Sequence, residues 1–317
     1  MIESKNIVAV FPGQGSQRTG MGKDFYEQIP VCRQTYEEAS DALGLDVSLI
    51  CFNNDDARLN LTEYTQPCII TTEIAMLRGL FQRFDFSAQW FGGHSLGEFT
   101  ALVAADVMPF AETVKIVRTR GKLMQEAVPI GIGGMAAVIS ENIDINMLKK
   151  LLENLPVDIA NINSANQVVI SGEATALPEI EKKMAQVFQT DKPYRFVQLN
   201  VSAPFHSRIM KKIEEPFFHT LKEVGGDLKP QNAPKVTSNF TGSFHKNDVA
   251  SIRGNLVKQL SNTVNWRENM LCLAANSKEV FEIGPGRPLR EFFKTIGVTC
   301  QSITGLAAAE KVFAGAN

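Results

Sequence analysis

A chain of 317 residues, 44% hydrophobic and 21% charged, has the material for a large core, built as one big domain with an insertion or as two domains. A formal net charge of -2 argues against nucleic acid or an anionic membrane as the main partner. The start Met1-Ile2-Glu3-Ser4-Lys5 has no basic leader, the apolar run that follows is too short for a signal peptide, and Asp106 and Pro109 break the longest apolar stretch, so the expected protein is cytoplasmic and spans no membrane.

In chain order, Asn6-Ile7-Val8-Ala9-Val10-Phe11 reads as a central parallel strand covered on both faces. The loop Pro12-Gly13-Gln14-Gly15-Ser16-Gln17 follows. Apolar residues recur at helical intervals over 25–43, 75–84 and 111–124, and strand-like runs return at Trp90 and at Val280-Phe281-Glu282-Ile283. That alternation predicts an α/β fold with a parallel sheet. The middle of the chain differs. Strand patterns over 134–139, 157–162, 167–171 and 195–201 enclose helix patterns over 143–155 and 175–188, giving the order β-α-β-β-α-β of a ferredoxin-like unit. The expected organisation is an inserted small domain at 132–200 inside a discontinuous large domain, 1–131 and 201–317. Five cysteines (Cys32, Cys51, Cys68, Cys272, Cys300), odd in number and without C-x-x-C spacing, read as reduced thiols and not as disulfides or a zinc site.

Between the Trp90 run and a helical stretch from Glu98 stands Gly93-His94-Ser95-Leu96-Gly97. A G-x-S-x-G pentapeptide between strand and helix makes a nucleophile elbow: the glycines allow a sharp turn, which thrusts the serine hydroxyl outward and frees the next amide to stabilise an oxyanion. Ser95 is therefore the expected nucleophile of an acyl-transfer enzyme.

A serine hydroxyl needs a base. Of the four histidines, His94 adjoins the serine and should diverge from it, His219 lies on a mixed helical face suited to packing, and His245 stands in a polar stretch that suggests solvation. His206, in Ala203-Pro204-Phe205-His206-Ser207, falls where the small domain returns to the large one, a place where clefts form. It is the expected base. The third member is open between an acid in the chain order Ser-Asp-His and a backbone carbonyl. The loop Gly13-Gln14-Gly15 is the candidate for a second oxyanion donor; it is not a nucleotide fingerprint, because Arg18 stands where the third glycine would be needed. On a helix Arg120 falls between Ile116 and Met124 and turns inward, whereas Arg118 has charged neighbours. An inward arginine serves either a structural carboxylate or a carboxylated ligand.

Taken together, Phe11-Pro12-Gly13-Gln14-Gly15-Ser16-Gln17, Thr65-Gln66-Pro67, Gly93-His94-Ser95-Leu96-Gly97-Glu98, Arg120-Gly121-Lys122, Gln167-Val168-Val169-Ile170-Ser171-Gly172, Ala203-Pro204-Phe205-His206 and Gly284-Pro285-Gly286 resemble the malonyl-CoA:acyl carrier protein transacylases and the related acyltransferases of polyketide synthases. The resemblance runs almost end to end and implies an α/β-hydrolase-like large domain with a ferredoxin-like insertion. It implies Ser95 as nucleophile, His206 as base, Arg120 as the clamp on a malonyl carboxylate, and the amides of Gln14 and Leu96 as the oxyanion hole. Gln66 matches a glutamine near the acyl pocket, and Phe205 a bulky ring that disfavours an α-substituent. Asn265 falls at the position taken to supply the main-chain carbonyl that orients the histidine.

The implied activity is ping-pong transfer of malonyl from malonyl-CoA to the phosphopantetheine thiol of an acyl carrier protein, with neither metal nor bound cofactor. The rivals are a trans-acting acyltransferase of a polyketide synthase, which shares the chemistry, and an acyl-thioester hydrolase, which has less use for Arg120. An acidic carrier protein would seek a basic surface; Lys192, Arg195, Arg208, Lys211 and Lys212 are candidates, as they equally are for ordinary solvated surface.

Overall fold

The structure is a computed structural model that describes residues 6–53, 55–129, 131–187, 193–201, 203–224 and 227–313. The strand β1 (Ile7–Phe11) leads through α1 (Lys23–Gln28), α2 (Pro30–Leu43), α3 (Val47–Phe52) and α4 (Thr62–Phe84) to β2 (Trp90–Gly93), α5 (Gly97–Ala104) and α6 (Phe110–Glu126). Next come β3 (Gly133–Ser140), α7 (Ile145–Leu152), β4 (Val157–Ser164), β5 (Gln167–Glu173), α8 (Leu177–Val187) and β6 (Tyr194–Leu199). The chain closes with α9 (Glu214–Glu223), the hairpin β7 (Thr237–Ser238) and β8 (Ser243–Phe244), α10 (Val249–Lys258), α11 (Trp266–Asn276), β9 (Glu279–Ile283), α12 (Pro288–Lys294), β10 (Cys300–Ile303) and α13 (Leu306–Phe313).

A continuous apolar strand must be covered on both faces, and β1 is buried along its whole length. It pairs in parallel with β2 on one side and β9 on the other, and β10 lies outside β9. This α/β sheet brings the ends of β1 and β2 together, with Phe11 opposite Gly93, so that the loops after both strands open on the same edge. In parallel sheets that edge is where ligands bind.

The second sheet is antiparallel, in the order β4-β5-β3-β6. Side chains of β3 alternate between two cores. Ala136 and Val138 meet Leu148 of α7 and Ile180 and Met184 of α8, while Met135 and Ala137 join the core of the parallel-sheet layer. The amide of Val264 donates to Ala160 at 2.8 Å and that of Ile162 to Val264 at 3.0 Å, so β4 is stitched directly to the segment leading into α11.

Two helices depart from the periodicity. The pattern over 25–43 is divided at Ile29, where Pro30 starts α2 at a position that needs no amide donor. The pattern over 75–84 is only the second half of α4, which begins at Thr62 and carries Pro67 within it. Proline near the first turns forfeits few ladder bonds, and Thr71 Oγ1 donates to the Pro67 carbonyl at 2.7 Å. The hairpin β7–β8 and the edge strand β10 are too short to show a pattern.

Candidate active site

The elbow forms because three backbone segments crowd together. A Cβ on Gly93 would lie 2.0 Å from the Gly97 carbonyl, and one on Gly97 would lie 2.1 Å from the Phe11 oxygen, so only glycine lets α5 start this close to β1. Ser95 takes a positive φ of 52° between them. The turn is held from outside by Asn239, which follows β7: its Oδ1 accepts from the Ser95 amide at 2.6 Å and its Nδ2 donates to the Gly93 carbonyl at 2.8 Å.

His206 Nε2 lies 2.8 Å from Ser95 Oγ, and its Nδ1 lies 2.7 Å from the carbonyl oxygen of Gln259. A carbonyl only accepts, so Nδ1 carries the proton and the Nε2 lone pair faces the serine, the tautomer a base requires. Burial, with the Arg120 guanidinium nearby, lowers the His206 pKa to about 3, so the ring is neutral at neutral pH. The orienting group is thus a carbonyl and not an acid.

That carbonyl is Gln259's, which corrects the expectation for Asn265. Gln259 caps the end of α10, where the last carbonyls have no intrahelical donor and stay available. Asn265 begins α11 instead; its carbonyl accepts from the Asn269 amide at 3.1 Å, and its Nδ2 donates to the Phe240 carbonyl at 2.8 Å.

Arg120 turns inward as its spacing predicts and is 1% exposed. Its Nη2 donates to Gln259 Oε1 at 2.8 Å and to Ser95 Oγ at 3.2 Å, and its Nη1 donates to Gln66 Oε1 at 3.0 Å. The Phe99 ring lies 5.4 Å from the guanidinium carbon. Burial pulls the Arg120 pKa down to about 10, which still leaves a cation at neutral pH beside Ser95 Oγ.

The amides of Gln14 and Leu96 make no hydrogen bond among the described residues, and they follow the ends of β1 and β2. Gln14 Nε2 donates to Thr62 Oγ1 at 3.2 Å, while the Leu96 side chain is wholly buried. Phe205, directly before His206, is buried within the core of the large layer. A cleft of about 360 Å³ borders His206 and is lined also by Asp158 and Ile159 of β4, Arg208 and Thr263, so His206 faces a space beside β4.

The other histidines differ in part from their sequence reading. His94 is paired through Nε2 with Asn163 Oδ1 at 2.8 Å, linking the elbow to β4, and burial lowers its pKa. His219 is exposed and touches the Phe218 ring instead of packing inward. His245 is 2% exposed and not solvated, with Nε2 2.8 Å from Glu98 Oε1. Gln259, Asn239 and His245 carry no functional signal in the sequence, and Glu98 only closes the elbow motif, since each acts through contacts made across long separations.

Of the basic candidates, Arg208 is held by Asp158, with Nη2 to Oδ1 at 2.6 Å. Arg195, Lys211 and Lys212 are exposed, and Lys192 lies outside the described residues. No described helix is long and apolar enough to cross a membrane.

A serine with a neutral histidine on one side, a buried cation on the other and two free amides at the adjoining strand ends is equipped for acyl transfer. A family model described as "Acyl transferase domain" matches residues 8–287. A malonyl CoA-acyl carrier protein transacylase of Bacillus subtilis (strain 168) is 37% identical over 305 residues, covering 94% of this chain and 92% of the relative. The crystal structure of a malonyl CoA-acyl carrier protein transacylase from Clostridium perfringens superposes with a TM-score of 0.89 at 34% identity, covering 98% of this chain and 97% of that one. Another solved relative, a malonyl-transacylase in complex with a type II PKS acyl-carrier protein, matches with a TM-score of 0.87 at 32% identity over 98% of this chain and 100% of its own. This chain belongs to the acyl transferase domain family, among the malonyl CoA-acyl carrier protein transacylases.

Proposed function

We propose that this protein moves a malonyl group from malonyl-CoA to the phosphopantetheine thiol of an acyl carrier protein, through a malonyl ester on Ser95. His206 takes the Ser95 proton as Oγ attacks the thioester carbonyl, the amides of Gln14 and Leu96 hold the oxyanion, and the proton leaves with the coenzyme A thiol. In the second half the carrier thiol gives its proton to His206 and attacks the ester, and Ser95 recovers its hydrogen as it departs. No cofactor enters either half.

The observation that carries this reading is the Arg120 fork, 3.2 Å from the nucleophile and buried. Burying a cation is costly unless something opposite in charge meets it, and the distal carboxylate of a malonyl thioester does so at the distance the serine ester sets. Gln66 lines the same pocket, and Phe205 crowds the α-carbon. Residues 132–200 form the inserted unit and 1–131 with 201–317 the catalytic one, with the thioester arm entering along the cleft beside His206. The carrier belongs to fatty acid or polyketide synthesis, and the cytoplasm, where five unpaired thiols stay reduced, is the compartment.

Intact-mass measurement after exposure to malonyl-CoA tests the reading. Wild-type protein should gain one malonyl group, lose it on adding phosphopantetheinylated carrier protein, and gain none in Ser95→Ala. Rapid release of free malonate without a carrier would instead indicate a thioester hydrolase.

A further inference from the structure

Behind the nucleophile lies an acid–histidine pair that the chemistry above does not use. Glu98, in the first turn of α5, is fully buried and receives three donors: His245 Nε2 at 2.8 Å, Gln259 Nε2 at 2.6 Å and the Asn239 amide at 3.0 Å. His245 stands just after β8 and is anchored by its own amide, which donates to the Val236 carbonyl at 2.9 Å. Asn255 Nδ2 approaches its other ring nitrogen at 3.5 Å.

A carboxylate only accepts hydrogen bonds, and that fixes the rotation of its neighbour's amide. Gln259 must turn its NH2 toward Glu98, which leaves its Oε1 facing Arg120 Nη2 at 2.8 Å. The same NH2 also donates to the Ser95 carbonyl at 3.0 Å. Were the amide reversed, its NH2 would meet the guanidinium donor to donor, and the arginine would lose the partner that aims Nη2 at Ser95 Oγ. Donors therefore converge on Glu98 from both sides, from His245 on one and on the other from Gln259, whose Oε1 in turn accepts from Arg120.

We infer that His245 and Glu98 are positioning residues for acyl selectivity: they lock the Gln259 amide, and the locked amide holds the Arg120 fork where a carboxylated acyl group on Ser95 needs it. The inference rests on the malonyl reading, since it concerns the same arginine. It assigns a role to a histidine that touches neither substrate nor nucleophile.

The test compares two reactions of Ser95 in the intact protein: malonyl loading from malonyl-CoA, and turnover of p-nitrophenyl acetate, an uncharged ester with no use for Arg120. In His245→Leu and Glu98→Gln, malonyl loading at limiting substrate should fall roughly tenfold or more beyond any fall in ester turnover, mostly as a raised KM. His245→Gln, whose amide can still donate to Glu98, should restore the ratio to within about threefold. His245→Leu carries the test if Glu98→Gln does not fold. Equal losses in the two reactions, or no change in either, overturn the inference while leaving the malonyl reading intact; a wild-type protein that forms no malonyl adduct overturns both.

Discussion

Ser95 Oγ and His206 Nε2 lie 2.8 Å apart, and both residues hold a positive φ, 52° and 58°. Side-chain-bearing residues avoid that region at a cost of roughly 1–2 kcal/mol each, so two such residues in mutual contact mark a geometry kept for function. The strain is borne by the surroundings: Asn239 clips the serine turn and the Gln259 carbonyl fixes the imidazole.

The depressed His206 pKa, about 3, sets the pH behaviour. An unfolded histidine protonates near its ordinary value of about 6.5, whereas the native ring stays neutral until about pH 3. Between those values the unfolded state binds the extra proton, so this group's effect is a loss of stability as pH falls through that window. Wild-type protein should therefore lose more stability than His206→Gln between pH 7.5 and 4.5 in denaturant titrations. Loading by malonyl-CoA should retain its rate through pH 5 instead of halving near pH 6.5.

Arg120→Ala removes the charge expected to meet the malonyl carboxylate. Hydrogen bonds to charged groups contribute about 1.5–3 kcal/mol each, so kcat/KM for malonyl loading should fall roughly a hundredfold. Acetyl loading should fall much less, and a larger share of bound malonyl should escape as free malonate. Intact-mass time courses with both thioesters check this; malonyl transfer that persists unchanged would remove Arg120 from substrate recognition.

Phe205 sits one residue before His206 and is buried, and the proposed reading has its ring crowd the α-carbon of the acyl group. Methylmalonyl-CoA should load at least tenfold more slowly than malonyl-CoA, and Phe205→Ser should narrow the gap; a missing or extra methyl in a tight pocket is worth about 1–3 kcal/mol. Equal loading of both thioesters by wild-type protein would refute the assignment.

Local chemistry made much of this molecule readable in advance. The βαββαβ order was legible because its strands are short apolar runs and its helices repeat at 3.6, and Arg120 because two apolar residues flank it at helical spacing. What escaped depends on chain segments far apart in sequence. The carbonyl behind His206 comes from Gln259, 53 residues away, and any residue type can supply a carbonyl. His245 lies among polar neighbours, and only the fold turns it onto Glu98, 147 residues distant. Helix α4 escaped because Pro67 punctuates a segment whose stability comes from packing.

Gly97→Ala should damage both fold and activity. Its Cβ would lie 2.1 Å from the Phe11 oxygen, a backbone atom that cannot swing aside, and overpacking of this kind costs about 1–3 kcal/mol or more. Separation of α5 from β1 would also move Ser95. Gly254→Ala is the contrasting case: it lies inside α10 with nothing within 4 Å of the added carbon, so helix propensity should raise stability by about 0.5–1 kcal/mol. Opposite shifts in Tm, with loading lost only in the first variant, are the expected outcome.

Asn265→Ala separates a structural from a catalytic role at the residue that the sequence reading placed behind the histidine. Its Nδ2 donates to the carbonyls of Phe240 at 2.8 Å, Asn239 at 3.2 Å and Thr263 at 3.3 Å, tying α11 to the loop that carries Asn239. Removing it leaves these acceptors short of a donor, which should lower stability by about 1–2 kcal/mol. His206 keeps its carbonyl from Gln259, and the Asn265 amide still donates to the Asn239 carbonyl at 2.8 Å, so Asn239 stays near the elbow. Malonyl loading should accordingly stay within about threefold of wild type while Tm drops. Loss of loading at unchanged Tm would instead give the Asn265 side chain a part in the reaction.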